Sequence, residues 1–299
     1  MDKKNILFGN FCGIMTGICW GVSGVFGQYL FENKGIDSLW LVPIRMFSAS
    51  IFLMMYIFAT QRKEALCLLH NRKDFVLAIL MGICGTMMFQ LSFFLAVQNS
   101  NAGTATVLQY LCPVITMLYV CFRDRKLPHG LEILSIILAL GGIFLISTHG
   151  NVHSLVITPA ALFWGIATAF FMFLDTVIPE KLYTKYPSTV IVGWAFLFSG
   201  ITLCLIFRPW QYHVTIDLAV MVSLVFIILG GSVFAYLFYG NAIKRIGPAK
   251  SSLFACSEPV AAALLSALWL KTDFALIDLV GFALIISTLF ILSKGGQKE

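Results

Sequence analysis

Glu258 is the residue in this sequence whose type and position point most directly to chemistry. It lies about nine residues into an apolar stretch and directly precedes Pro259, so a helix would carry it roughly 14 Å into a membrane. A carboxylate at that depth is costly, and such residues usually face the bundle interior and mark a pathway or relay. Because desolvation disfavours the charged form, we predict that Glu258 exchanges a proton. The alternatives are a permanently protonated group or a structural pair with Arg45.

Two prolines, Pro113 and Pro259, lie near the middle of apolar stretches. Each removes one backbone hydrogen bond and clashes with the carbonyl four residues earlier, here those of Gln109 and Ala255. In a membrane the released carbonyls need new partners. We expect the two kinks to line a polar cavity, although a proline that only bends its helix is the simpler alternative.

Two other charged residues fall within apolar stretches. Arg45 lies roughly 9 Å from the start of its stretch, where a long side chain can reach the membrane surface. A structural role and binding of a substrate carboxylate suit this position equally. Asp175 lies within a turn of the end of its stretch, which favours a solvated helix end.

The other candidate residues are aromatic, amide and hydroxyl side chains, which would give a cavity little charge. Gly17, Gly21, Gly24 and Gln28 share one helical face, which permits close packing and backbone approach. Plain packing explains each single aromatic residue equally well. The predicted substrate-binding residues are Trp20, Phe89, Gln90, Gln109, Tyr110, Trp164, Tyr236, Tyr239, Ser251 and Ser257.

The sequence contains no catalytic, metal-binding or cofactor-binding motif. His149 and His153 have helical metal-ligand spacing, but they flank Gly150 and Asn151 in a short loop. None of the eight cysteines has metal-ligand or redox spacing. A phosphate-binding glycine motif, an HExxH motif and a nucleophile elbow are also absent. We therefore predict no enzyme activity, no metal and no cofactor.

The segments that must position these residues belong to a chain whose main solvent is a lipid bilayer. Of 299 residues, 59% are hydrophobic and 11% are charged, against roughly 25% charged in soluble domains. Apolar stretches of about 17 to 24 residues recur along the chain, and each can cross ~30 Å of hydrocarbon. The predicted fold class is an all-α membrane protein with ten transmembrane helices. They run from about Phe8 to Tyr29, Leu39 to Thr60, Phe75 to Val97, Gly103 to Phe122, Glu132 to Ser147, Ile157 to Ile178, Thr189 to Phe207, Leu218 to Ala242, Ala249 to Leu270, and Leu276 to Leu292.

The positions of the basic residues predict the orientation. With a cytoplasmic amino terminus, sixteen of the twenty Lys and Arg residues fall in cytoplasmic segments, and Lys34, Arg208 and Lys271 fall in outer loops. Cytoplasmic loops of membrane proteins carry such an excess. We predict a multi-pass protein of the bacterial cytoplasmic membrane with both termini in the cytoplasm. The net charge of +6 does not indicate nucleic acid, because a nucleic-acid binder clusters its basic residues on one soluble face.

An internal repeat divides the chain into two predicted domains, residues 1–147 and 148–299, of five helices each. Because five is odd, the two halves have inverted topology, an arrangement in which one half of a secondary transporter rocks against the other around a midplane site. The repeat rests on an offset of 146 residues, which aligns Gln90-Leu91 with Tyr236-Leu237 and Pro113 with Pro259, and on one of 144, which aligns Trp20-Gly21 with Trp164-Gly165.

Several short motifs occur in a recognisable order. They are the two Trp-Gly dipeptides, Arg45-Met46-Phe47, the two mid-helix prolines, and the stretches Gly141-Gly142-Ile143-Phe144-Leu145-Ile146-Ser147 and Gly281-Phe282-Ala283-Leu284-Ile285-Ile286. In these motifs, and over essentially its whole length, the chain resembles the ten-helix EamA-type transporters of the drug/metabolite transporter superfamily. It departs from them after the fourth and ninth predicted helices. There, Gly-Glu-Arg-like segments are replaced by Arg123-Asp124-Arg125 and Lys271-Thr272-Asp273.

The resemblance implies a secondary transporter that exports amino acids or related metabolites by alternating access. Its partners would be a small-molecule substrate, the lipid bilayer and, through Glu258, protons. The oligomeric state stays open, and a monomer is compatible with the sequence. The alternatives are a multidrug or nucleotide-sugar carrier and, from a different class, a membrane protein with a structural or receptor role. A nucleotide-sugar carrier should offer several buried basic residues for phosphate, and only Arg45 qualifies.

Overall fold

The computed structural model describes residues 3–295 except 124, 126, 128, 129, 149–156, 247–250, 252, 253 and 256. This part of the chain is almost entirely helical and contains no β-strand. The first half comprises α1 (Lys3–Lys34), α2 (Ser38–Thr60), α3 (Arg62–His70), α4 (Arg72–Leu80), α5 (Met88–Asn99), α6 (Ala102–Gln109), α7 (Cys112–Arg123) and α8 (Gly130–Thr148). The second half comprises α9 (Pro159–Val177), α10 (Glu180–Tyr183), α11 (Ser188–Phe207), α12 (Leu218–Val225), α13 (Ala235–Ile246), α14 (Ser257–Trp269) and α15 (Leu276–Gly295).

Seven helical segments of the described chain are long and apolar enough to cross a membrane. They are Lys4–Lys34, Ser38–Thr60, Arg72–Asn99, Ala102–Arg123, Pro159–Val177, Ser188–Phe207 and Leu218–Ile246. Shorter apolar helices over Ile133–Ile146 and Leu276–Thr288, together with α14, lie within the fifth, tenth and ninth predicted helices. The predicted all-α membrane fold is confirmed, and the count of ten stays a prediction. The segment between the second and third predicted helices, Gln61 to Asp74, contains the short helix α3.

Two of these seven segments, Arg72–Asn99 and Leu218–Ile246, contain a π-helical part. The sequence did not predict this feature. The first π segment, Met81–Met87, joins α4 to α5, and the second, Phe226–Phe234, joins α12 to α13. The two overlap when the chain is shifted by 146 residues, and Gly85-Thr86 then falls on Gly231-Ser232. Because π turns are rare and concentrate at functional sites, both segments are expected to contact the functional site.

The largest packing surfaces between helices join the two halves of the chain. Helix α1 packs on α13 and α14, and α9 packs on α5 and α6. The other large surfaces pair α2 with α11 and α8 with α15. The helices of the two halves are therefore interleaved. Any motion of one half relative to the other must change the packing at these surfaces.

The predicted glycine face of α1 lies against the start of α14. A Cβ atom on Gly17 would lie 2.5 Å from the Ala255 carbonyl oxygen and 2.8 Å from the Glu258 nitrogen, and one on Gly21 would lie 2.6 Å from the Glu258 carbonyl oxygen. Contacts below 3.0 Å are essentially never made by a real Cβ atom. A Cβ on Gly24 would have no neighbour closer than 3.4 Å. Close approach therefore requires glycine at positions 17 and 21.

Gln28, at the opposite end of the same face, ties α1 to two other helices. Its Oε1 accepts hydrogen bonds from the Ala102 nitrogen at 2.9 Å and the Ser266 hydroxyl at 3.0 Å. Its Nε2 donates to Glu32 Oε1 at 2.9 Å and to Thr272 Oγ1 at 3.0 Å. These four bonds use the full hydrogen-bonding capacity of the amide, so Gln28 is a structural junction.

We expect Gly17→Ala to destabilise the protein by about 1–3 kcal/mol, because its methyl group would overlap backbone atoms of the neighbouring helix. Gly24→Ala, on the same face, should leave stability close to that of the wild type. Thermal unfolding midpoints of the purified proteins in detergent test this expectation. Equal midpoints for all three proteins would contradict the packing described here.

Candidate functional site

Glu258 lies at the start of α14 with its side chain held by neutral groups. The residue is 5% exposed. Its Oε1 accepts a hydrogen bond from Gln109 Nε2 at 2.9 Å, and its Oε2 accepts one from the Tyr110 hydroxyl at 3.2 Å. Both partners belong to the fourth predicted span, in the first half of the chain. Three residues predicted from the sequence therefore meet at one point between the halves.

The Tyr110 hydroxyl also lies 3.0 Å from the carbonyl oxygen of Ala255, the carbonyl that Pro259 leaves without its helical donor. A phenol has one hydrogen and can also accept. It can donate to a charged Glu258, or it can donate to Ala255 while accepting a hydrogen bond from a protonated Glu258. This arrangement accommodates Glu258 in both protonation states.

The helix that carries Gln109 and Tyr110 is broken rather than bent. Helix α6 ends at Gln109 and α7 begins at Cys112. Between them, the backbone nitrogens of Tyr110 and Leu111 bond to carbonyls three residues earlier, those of Val107 and Leu108, which is a tightened 3₁₀-type turn. This break ends two residues before Pro113, and Pro259 directly follows Glu258 in α14. The two prolines thus accompany the two places where the site is assembled.

Three predicted aromatic residues form one cluster, which we call the aromatic cluster: Trp20, Tyr236 and Tyr239. The ring centroid of Trp20 lies 5.4 Å from that of Tyr236 and 5.5 Å from that of Tyr239. Tyr236 also packs edge-on against Phe196 at 5.1 Å. All three members are half-buried. The cluster joins α1 to α13 and presents an apolar surface with phenol groups at its edge.

Arg45 is buried between α2, α5 and the second π segment, with 3% of its surface exposed. Its Nε donates to the Ser232 hydroxyl at 2.8 Å, its Nη1 to Gln90 Oε1 at 3.0 Å, and its Nη2 to the Gly231 carbonyl at 3.3 Å. The described residues provide no carboxylate in ion-pair contact with it. The alternative in which Arg45 forms a structural ion pair with Glu258 is therefore wrong for this structure.

The other predicted substrate-binding residues lie apart from these contacts. Phe89 is half-buried, and Trp164 packs edge-on against the preceding phenylalanine with ring centroids 5.0 Å apart. In the described part of the chain, no ring contact joins either of them to the aromatic cluster. The Ser257 hydroxyl donates to the Ile14 carbonyl at 3.0 Å, and Ser251 is buried.

Asp175, which is half-buried and lies two residues from the end of α9, has a partner that the sequence did not predict. Its Oδ1 accepts a hydrogen bond from the Thr86 hydroxyl, and a Cβ atom on Gly85 would lie 2.8 Å from the Asp175 Cα. Asp175 therefore lies against the first π segment. The repeat offered a signal for this contact, because Thr86 aligns with Ser232, which contacts Arg45.

Two ion pairs join the halves at opposite ends of the bundle. Asp74 accepts hydrogen bonds from Lys185 Nζ at 2.9 and 3.1 Å and from the Tyr186 hydroxyl at 2.9 Å. Lys34 Nζ lies 2.5 Å from Asp217 Oδ2. Each acid lies at the beginning of a span that contains a π segment, and each lysine lies between the first two predicted spans of the other half. The two pairs therefore occupy corresponding places.

The two ion pairs differ in exposure. The side chain of Asp74 is 7% exposed, whereas that of Asp217 is 47% exposed. The hydrogen bond from Lys34 holds the pKa of Asp217 below its ordinary value. A depressed pKa means that this interaction is present at neutral pH and is lost only as the pH falls through the lowered value. Burial, followed by the hydrogen bond to Asp74, raises the pKa of Tyr186, so that phenol stays a donor at physiological pH.

A comparison with protein families decides the class of the protein. The model of the EamA-like transporter family matches residues 7–148 and again residues 159–294. This chain belongs to the EamA-like transporter family. It is accordingly a membrane transporter of the drug/metabolite transporter superfamily.

Known relatives of this EamA transporter extend over most of its length. It is 35% identical over 286 residues to an uncharacterized inner membrane transporter, YicL, of Salmonella typhimurium, with 96% of this chain and 95% of that protein covered. It is 23% identical to the uncharacterized transporter YetK of Bacillus subtilis, with 91% and 82% covered. A crystal structure described only as that of a protein superposes with a TM-score of 0.64 at 14% identity, covering 100% of this chain and 99% of the other. That likeness shows the fold alone.

We expect Tyr110→Phe to lower the thermal unfolding midpoint, because it leaves the buried Ala255 carbonyl without its donor at a cost of about 1–3 kcal/mol. Tyr119→Phe is the matched control, since the Tyr119 ring packs on Phe173 and no hydrogen bond of its hydroxyl is present in the described structure. If the two variants unfold at the same temperature, Tyr110 does not satisfy that carbonyl.

Proposed function

We propose that this EamA transporter is a secondary transporter that exports amino acids or related small metabolites by alternating access, with Glu258 as its proton-coupling residue. The observation that carries the proposal is the environment of Glu258, which is buried and contacted by an amide and a phenol. Neither partner fixes its charge. The Tyr110 hydroxyl can reverse its hydrogen bond when Glu258 gains or loses a proton, so both states keep their partners.

The chemistry around Glu258 supports a small organic substrate. The aromatic cluster offers the apolar and π surface typical of ligand pockets, which carry only a few polar groups. Arg45 adds one buried cation and Asp175 a second carboxylate. The class of amino acids and the direction of transport come from the resemblance to the EamA family. Several buried cations for a diphosphate, which a nucleotide-sugar carrier would need, are not found among the described residues.

Alternating access is supported by features that occur once in each half. Among the described residues, the two π segments, the two mid-span prolines and the two ion pairs correspond when residues 1–147 are compared with residues 148–299. We take the two halves as inverted repeats and place both termini in the cytoplasm, following the distribution of basic residues. Because the main packing surfaces lie between the halves, rocking of one half against the other would open each end in turn.

We expect Glu258→Gln to abolish the response of net transport to a pH gradient while leaving folding and substrate exchange largely intact. Glutamine preserves the shape of the side chain and mimics the protonated form. The measurement is transport of metabolites by proteoliposomes with and without an imposed pH gradient. The metabolites to be tested are those whose export by cells depends on this protein.

Glu64→Gln is the control for this experiment, because Glu64 is an exposed carboxylate on α3 and should not alter the response. Wild-type protein that ignores the pH gradient, or Glu258→Gln protein that follows it, would show that Glu258 does not couple protons. Glu258 would then be better explained as a contact for a substrate amine or as a structural residue.

We expect the two ion pairs to control opposite ends of the bundle. Asp74→Asn removes the charge that holds Lys185, so the end containing Asp74 should open more often. Spin labels at positions 64 and 181, both exposed at that end, should then show a longer mean distance. Asp217→Asn is the matched variant and should leave this distance unchanged or shorter. Equal effects of the two variants on the distance would argue against separate control of the two ends.

A further inference from the structure

We infer that Arg45 and Ser23 form a subsite for a carboxylate group of the transported molecule, an inference that rests on the proposed transport function. The subsite lies between α1, α2 and the second π segment. It would define the substrate class as carboxylates with an apolar or aromatic remainder. Unused hydrogen-bond donors, the charge balance at Arg45 and the position of the aromatic cluster support this subsite.

Two N–H groups of the Arg45 guanidinium are not used in hydrogen bonds to the described residues. A guanidinium carries five N–H groups and accepts no hydrogen bond. Three of these groups donate to Ser232, Gln90 and Gly231, which leaves one N–H on each terminal nitrogen. The partners used are a hydroxyl, an amide and a carbonyl, and all are neutral. They fix the orientation of the guanidinium without neutralising its charge.

Ser23 supplies a further donor at the same place. Its side chain is 2% exposed, and its hydroxyl has no hydrogen-bond partner among the described residues. A Cβ atom added to Gly231 would collide with the Ser23 side chain and would lie 3.7 Å from Arg45 Nη2. Ser23 and the Arg45 fork therefore border the same glycine, and a larger residue at position 231 would displace Ser23 from this position.

Charge balance favours an anion at this position. A buried cation without a counter-charge is strongly unfavourable, and the described residues place no carboxylate in ion-pair contact with Arg45. Glu258 attracts Arg45 without an ion-pair contact, because its two oxygens accept hydrogen bonds from Gln109 and Tyr110. An ionised carboxylate accepts hydrogen bonds and donates none. Its two oxygens match the spacing of a guanidinium fork.

The aromatic cluster lies where the rest of such a molecule would extend. Trp20 precedes Ser23 by three residues on α1, so the two share a helical face about one turn apart. On the opposing helix, Tyr236 follows Ser232 by four residues and contacts the Trp20 ring. The charged and aromatic parts are thus about 5 Å apart along the helix axis, a separation that one amino acid can bridge between its carboxylate and its side chain.

The variant Ser23→Ala should weaken carboxylate binding without lowering the stability of the protein. Because the Ser23 hydroxyl has no partner among the residues that the structure describes, its removal should leave the unfolding temperature of the ligand-free protein unchanged or slightly higher. The binding of a carboxylate should weaken about tenfold, as expected for loss of one hydrogen bond to a charged group. Arg45→Lys keeps the charge but loses the fork, and should weaken binding by about tenfold or more. Ser50→Ala removes a buried hydroxyl that bonds within α2 and serves as the control.

The experiment measures thermal stabilisation of the full-length protein in detergent by each of the standard L-amino acids and by sodium chloride. The best amino acid is then compared with its carboxamide, which has nearly the same shape without the negative charge. We expect stabilisation by an amino acid, little by its carboxamide or by chloride, and a loss in Ser23→Ala and Arg45→Lys but not in Ser50→Ala.

Four results would overturn the carboxylate subsite: no amino acid stabilises the protein, the carboxamide does so equally, sodium chloride alone does so equally, or Ser23→Ala binds as the wild type does. Equal stabilisation by chloride would assign the site to an inorganic anion. Transport driven by a pH gradient, measured in parallel, separates this failure from failure of the proposed function. Transport that persists without carboxylate binding would overturn the subsite alone.

Discussion

A single backbone carbonyl, that of Ala255, organises the centre of this molecule. A membrane offers no water to a carbonyl that has lost its helical donor, so the chain must supply a partner from elsewhere. Tyr110 does so from the other half of the sequence, and its reach depends on the broken helix in which it lies. Gly17 permits the close approach of α1 to the same carbonyl. Glu258 is then held beside Tyr110, and its position between the halves follows from this backbone constraint.

The corresponding hydroxyl groups in the two π segments have partners of opposite type, an acid in one case and a base in the other. Thr86 in the first π segment bonds to the acid Asp175, and Ser232 in the second bonds to the base Arg45. Each hydroxyl follows a glycine that lets a neighbouring helix come close. One structural device therefore carries a negative charge in one half and a positive charge in the other. The two π segments thus share a backbone feature, while the side chains that face them differ.

The sequence predicted the parts of the fold and site whose cause lies within one segment. Apolar length gave the membrane helices, and an acid beside a proline in an apolar stretch gave Glu258 and the carbonyl of Ala255. The identity of the partner was a different problem, because Tyr110 and Ala255 are 145 residues apart and their contact depends on how the fourth span lies against the ninth. The π segments also could not be predicted, since no local propensity distinguishes a π turn from an α turn. The contact of Asp175 with Thr86 was not predicted, because the distance of Asp175 from the helix end was considered without the glycine that faces it.

The π segments also bear on how the third and eighth spans can rearrange. A π turn contains about one residue more than an α turn, and each α-helical residue turns the chain by about 100°. If a π segment tightened into α-helix, the part of the span beyond it would rotate by roughly that angle without any need to bend. Thr86 would leave Asp175 in one half, and Ser232 would leave Arg45 in the other. Helical register, rather than kink angle, would then determine which side chains of these two spans face the centre of the transporter.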